Sequence, residues 1–136
     1  MTDAERELID HPPTAKELFE NGRREFFDGH YFEAHDIWEE FWHRLHGPDR
    51  RYLQGMIHLA VGAYHFENGN ETGARSQWMK AVLKLGEYPK DHWGVDVSTW
   101  VQWIGGYLNG AAPGPHPKTL PFQSDRFPVA LKMALD

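Results

Sequence analysis

Residues 21–45 read NGRREFFDGHYFEAHDIWEEFWHRL, and residues 61–85 read VGAYHFENGNETGARSQWMKAVLKL. At an offset of forty, Gly22 matches Gly62, Phe26 matches Phe66 and Gly29 matches Gly69. Ala34 then matches Ala74, Trp38 matches Trp78 and Leu45 matches Leu85. A period of this length marks stacked helical hairpins. Gly22 and Gly62 fall inside helices, where glycine costs about 1 kcal/mol relative to alanine. A cost repeated at matching places implies a packing reason, namely close approach of the partner helix. Ala34 and Ala74 are the natural small partners, and Gly29 and Gly69 allow the reversal between the two rods. Trp38 and Trp78 are placed to wedge against the hairpin or its neighbour. The small-residue spacing resembles tetratricopeptide hairpins, although their period is shorter. Two units are fewer than a solenoid needs, so the pattern predicts a closed bundle.

Working outward, residues 1–13 read as a lead-in ending at Pro12–Pro13. Thr14 can cap a first helix, with Glu17 in capping-box position. That helix ends at Asp28–Gly29, and a second runs from about His30 to Leu45 before Gly47–Pro48. The third, roughly Arg50 to Glu67, is apolar around most of its circumference, which predicts a place at the centre of the bundle. Asn68–Gly69–Asn70 makes the next turn, and a fourth helix covers about Glu71 to Leu85. A fifth covers about Val97 to Leu108. Residues 111–128 are rich in Pro and Gly and predict an irregular segment. Its Leu120, Phe122 and Phe127 predict a seat on an apolar surface, of this chain or of a partner. Residues 129–135 suggest a last short helical turn. The predicted architecture is a single all-α domain over 1–136: a compact bundle of about five helices over 14–110 and an irregular tail over 111–136.

The chain is long enough to bury one sizeable core, and six Trp, eight Phe and five Tyr supply the apolar area. The absence of cysteine removes disulfides, thiolate metal sites and cysteine nucleophiles, and it fits a cytoplasmic setting. Fourteen Lys and Arg against twenty Asp and Glu give a net charge of −6, which argues against nucleic acid as a partner. No apolar run predicts a membrane span, and MTDAERELID does not read as a signal peptide.

One polar constellation is not demanded by the repeat. His35 and Glu39 lie one helical turn apart at the margin of the second helix's apolar face. Glu33 and Asp36 lie further toward solvent. Gln54, His58 and His65 form a narrow polar stripe on the third helix, bordered by Gly55 and Gly62. Glu25 occupies the position equivalent to His65 in the first repeat. Together these residues predict a polar site between the second and third helices, where His58 and His65 converge on His35 and Glu39. Three readings stay open: imidazoles and amides that fix helix register, a divalent metal site for zinc, iron or manganese, or a metal-free pocket with His35 and Glu39 as acid and base. A further alternative is a non-catalytic interaction module that self-associates or captures a protein through the C-terminal aromatic and Pro-rich segment. His11, His30, His43, His46, His92 and His116 read as turn, tail or helix-end residues without a site role. No phosphate loop or nucleophile elbow is present, and no reaction is implied.

The run FDGHYFEAHDIWEEFW, residues 27–42, closely resembles the bacterial and archaeal family called domain of unknown function 309. Its pattern, approximately G-x-Y-x-E-A-H-E-x-L-E-x-x-W, is matched by Gly29, Tyr31, Glu33, Ala34, His35, Glu39 and Trp42. Asp36 stands for a Glu and Trp38 for the Leu. Residues 53–74 are similar to a second block, matched by Leu53, Gln54, Gly55, Ile57, Leu59, Ala60, Tyr64, His65, Gly69, Asn70, Gly73 and Ala74. His58 stands where that family often has Gln. The resemblance covers about residues 14–86 and implies an all-helical bundle. It favours His35, Glu39 and His65 as site residues, with Glu33 and Asp36 next, and it implies no activity.

Overall fold

A computed structural model describes residues 2–3, 12–111 and 114–134. Most of the expected lead-in therefore lies outside the described residues. Among the described residues, five helices make up the body: α1 (Ala15–Phe27), α2 (Tyr31–Arg44), α3 (Arg50–Glu67), α4 (Glu71–Leu85) and α5 (Ser98–Leu108). A two-residue strand, β1 (Leu45–His46), pairs antiparallel with β2 (Lys132–Met133).

Local chemistry sets the helix ends. Thr14 accepts from the Glu17 amide at 3.1 Å and so caps α1. Gly29 at φ 83° and Gly69 at φ 75° make the two hairpin reversals, a backbone conformation that favours glycine. Asn70 accepts from the Gly73 amide at 2.9 Å and caps α4.

The repeated residues do the same job twice. The Trp38 indole donates to the Phe19 carbonyl at 3.0 Å, and Trp78 donates to the Leu59 carbonyl at 3.1 Å. A Cβ on Gly22 would run into the Trp38 indole, and one on Gly62 into the Trp78 indole. The glycines therefore make room for a tryptophan ring from the second helix of their own hairpin, rather than for the alanine expected to face them. Removing the side chain leaves the ring flat on the helix, where its N–H reaches a carbonyl three residues earlier. Burying an indole satisfies its donor only if such an acceptor is within reach.

α3 packs on α2 on one side and on α4 on the other, with nine of its residues buried. That is the central position its all-round apolar surface predicts. One continuous core joins the helices, with Phe19, Phe26, Trp38, Phe41, Leu59 and Trp78 fully buried.

The segment after α5 lies along its own chain. Leu120 and Phe127 are buried, and Phe127 stacks on Phe19. Arg23 donates to the Leu120 carbonyl at 2.9 Å, and Trp100 donates to the Thr119 carbonyl at 2.9 Å. Phe122 bridges to Val95. The short helical turn expected over 129–135 is corrected. Residues 129–130 form a turn, residues 132–133 are extended, and the Ala134 amide donates to the Arg44 carbonyl at 2.7 Å. The open carbonyl edge after α2 offers strand pairing to that segment, and pairing satisfies groups a lone helical turn would leave free.

Candidate functional site

On α2, His35, Asp36 and Glu39 lie at i, i+1 and i+4, so the imidazole and the Glu39 carboxylate share an edge while Asp36 flanks them. His35 Nε2 lies 2.9 Å from Glu39 Oε2, and Nδ1 lies 3.2 Å from Asp36 Oδ1. One ligand atom from each of the three falls within 4.8 Å of the others. His35 is half-buried, and its Nδ1 atom is buried without a hydrogen-bond partner. The two carboxylates are the more exposed members. The Phe32 ring sits 5.5 Å from the His35 ring and 5.2 Å from Tyr64 of α3, so two partly exposed aromatic rings form a shelf beside the group.

The stripe on α3 faces α4 rather than the acidic edge of α2. His58 Nδ1 donates to Gln77 Oε1 at 2.8 Å, and Lys84 Nζ donates to His58 Nε2 and to Gln54 Oε1, both at 2.8 Å. His65 packs against Gly73, and its Nδ1 accepts from Asn70 Nδ2 at 3.3 Å. A helical wheel fixes which residues share a face but not which neighbour receives it. The expected convergence of His58 and His65 on His35 and Glu39 is not among the contacts formed by the described residues. Glu25 pairs with His30 at 2.8 Å across the first reversal, the same offset of five that joins His65 to Asn70 across the second. Glu33 is exposed in the first turn of α2, where the helix dipole favours an acid.

Burial holds the His58 imidazole below its ordinary value; the Gln77 bond opposes this, and the Lys84 and Lys80 ammonium groups reinforce it. Burial also lowers Lys84, with Arg51 and Lys80 adding to the effect and Glu87 opposing it. Hydrogen bonding to Glu25 raises His30.

His116 is the residue that sequence reading passed over. It is buried, with Nε2 at 2.6 Å from Glu67 Oε1 and Nδ1 at 2.7 Å from the Pro117 carbonyl. Its ring stacks on Trp100 at 5.1 Å and meets Phe66 and Tyr31 edge-on. Tyr31 beside it is pushed up to about 12 by burial and by the charge of Glu67. Nothing in the flanking Pro115 and Pro117 signals this anchor.

Residues 19–77 match the family model described as Domain of unknown function (DUF309). The resemblance drawn from the α1–α4 motifs is thus met over that stretch. The chain is also similar to "Uncharacterized protein YpuF" of Bacillus subtilis (strain 168), with 46% identity over 56 residues. That alignment covers 40% of this chain and 32% of the relative, so the chain matches about a third of that protein's length. DUF309 is defined without an activity, and the α2 group and the Gly–Trp pairs of both hairpins lie within or beside the matched stretch. No described helix is long and apolar enough to cross a membrane.

Proposed function

We propose that His35, Asp36 and Glu39 bind a divalent metal ion on the edge of α2, with coordination positions left open for a small ligand. The observation that carries this reading is an imidazole flanked by two carboxylates, with Asp36 on its Nδ1 side and Glu39 on its Nε2 side, one ligand atom of each residue within 4.8 Å of the others and Nδ1 buried without a hydrogen-bond partner. One imidazole and two carboxylates suit zinc, manganese or iron. The carboxylates supply charge that neutralises the ion, and the Phe32–Tyr64 shelf lowers solvent access on one side. Three protein donors leave room for water or a ligand, as an open site requires. His58 and His65 are not part of this donor set; they organise the α3–α4 hairpin.

The test is metal analysis of protein purified without a His tag, followed by thermal melts of the stripped protein with zinc, manganese or iron(II). A ligand at a hundred times its Kd stabilises by about 2.7 kcal/mol, which a melt resolves. The doubly substituted Asp36→Asn, Glu39→Gln protein is expected to keep its fold and lose that gain. A stripped protein that gains no stability from any of the three ions contradicts the proposal. Self-association through the C-terminal segment has weaker support, because Leu120 and Phe127 are already buried within the chain.

A further inference from the structure

The second polar cluster, between α3 and α4, has no part in the α2 group and carries its own chemistry. We propose that Lys84 is a nucleophilic amine, a modification site at which the side chain is acylated by small anionic acyl donors of the acyl phosphate class. Lys84 Nζ is held at 2.8 Å from both Gln54 Oε1 and His58 Nε2, two neutral acceptors. His58 Nδ1 donates to Gln77, so its Nε2 carries the lone pair that faces the amine. A hydrogen bond to neutral imidazole does not stabilise an ammonium as a carboxylate would. Among the described residues Lys84 makes no ion pair, whereas Lys118 lies 3.8 Å from Glu67.

The charged groups around Lys84 come from both helices and the turn after α4. Arg51 and Lys80 disfavour its ammonium form; Glu87 favours it but is held by Arg51 at 2.6 Å. Lys84 is half-buried, while Lys16, Lys80, Lys90, Lys118 and Lys132 are exposed. Burial lowers it from its ordinary value, so more of it is free amine at neutral pH than of an exposed lysine. Lys80, exposed one turn away on the same helix, also gives the anionic donor a positive approach.

In the reaction the amine nitrogen forms a bond to the acyl carbon, and the carbon–oxygen bond to phosphate breaks. Two of the three ammonium protons are lost. The first passes to His58 Nε2 and on to solvent, and the second leaves with the departing phosphate. The product is an amide and inorganic phosphate, and no oxidant or reductant is needed.

The experiment exposes the full chain to limiting acetyl phosphate near neutral pH and follows each of the six lysines by peptide mass spectrometry. Lys84 is expected to react severalfold faster than Lys80, one turn away on the same helix. The advantage disappears in urea, where all lysines are equivalent. His58→Gln removes the proton acceptor and is expected to bring Lys84 down to the rate of Lys80. If that variant fails to fold, the pH profile of the native chain decides, with the Lys84 rate rising at lower pH than the Lys80 rate. Lys84 reacting no faster than Lys80 in the folded protein, or with the same pH profile, overturns the proposal.

Discussion

His58 gives its Nδ1 proton to Gln77 and receives a proton from Lys84 at Nε2, so its surroundings are arranged for a neutral ring. Protonation would set two cations against each other in a half-buried site. The unfolded chain takes up this proton near the ordinary imidazole value of about 6.5, and the folded chain takes it up lower. The unfolded state therefore binds more protons below that point, and stability rises with pH there. The contribution is present above the unfolded value and is lost as pH falls below it. Urea midpoints measured from about pH 7.5 to about pH 5.5 are expected to fall, with a smaller fall in His58→Gln. An identical pH slope in the variant would mean that the ring is not held neutral. Trp93 belongs to the same scale. It adopts φ 61°, a backbone region unfavourable to a bulky residue, and donates to Asp49 at 3.1 Å while stacking in the core. Asp49 also holds His92 at 3.0 Å. Asp49→Ala is expected to cost about 1–3 kcal/mol, since it leaves a buried indole donor without a partner; a chemical melt within error of the parent would contradict that.

Each hairpin is locked by one glycine and one tryptophan. Replacing an interior helical glycine by alanine ordinarily stabilises a helix by about 1 kcal/mol. Here the sign reverses, because the new methyl group meets an indole with no room to move. Gly22→Ala and Gly62→Ala are each expected to lower stability by about 1–3 kcal/mol in denaturant titrations. Gly105→Ala, whose Cβ would meet open space, is the control and is expected to be neutral or stabilising. The elements themselves were legible: α3 and α4 have the bounds that their turn residues and periodicity predict, Arg50–Glu67 and Glu71–Leu85. The glycine's partner was not, because a spacing shows that something must be close without showing whether it is a methyl or a ring. The spacing of the α3 stripe puts Gln54 and His58 on one face, and that face meets Gln77 and Lys84 of α4. In an antiparallel hairpin turning at Asn68–Gly69, residues equally far from the turn lie side by side. That relation points His58 and Gln54 at Gln77 and Lys84, and it was available from the sequence.

At the scale of the whole molecule, the C-terminal segment completes the core. Phe19 meets Phe122 and Phe127 from the segment, and His116 ties it to Glu67 of α3. Leu120→Ala is expected to cost about 2–5 kcal/mol and to lower the melting temperature in a single cooperative transition. An unchanged melt would mean that the segment is not docked in solution. Its aromatic residues announced an apolar seat, but no local pattern said whose surface it was, because that depends on the gap left between α1, α5 and the turn at Trp93. His116 was hidden for the same reason: its partners are assembled only by the closed fold. The α2 group was legible because His35 and Glu39 lie one turn apart on a single helix, where spacing alone sets proximity. The most direct measurement on that group is an anomalous difference map from crystals of the full chain grown with manganese or zinc. The expected result is a peak at coordination distance, about 2.0–2.2 Å, from His35, Asp36 and Glu39. A map with no peak there, and with the His35 ring bonded only to its own carboxylates, would contradict metal binding.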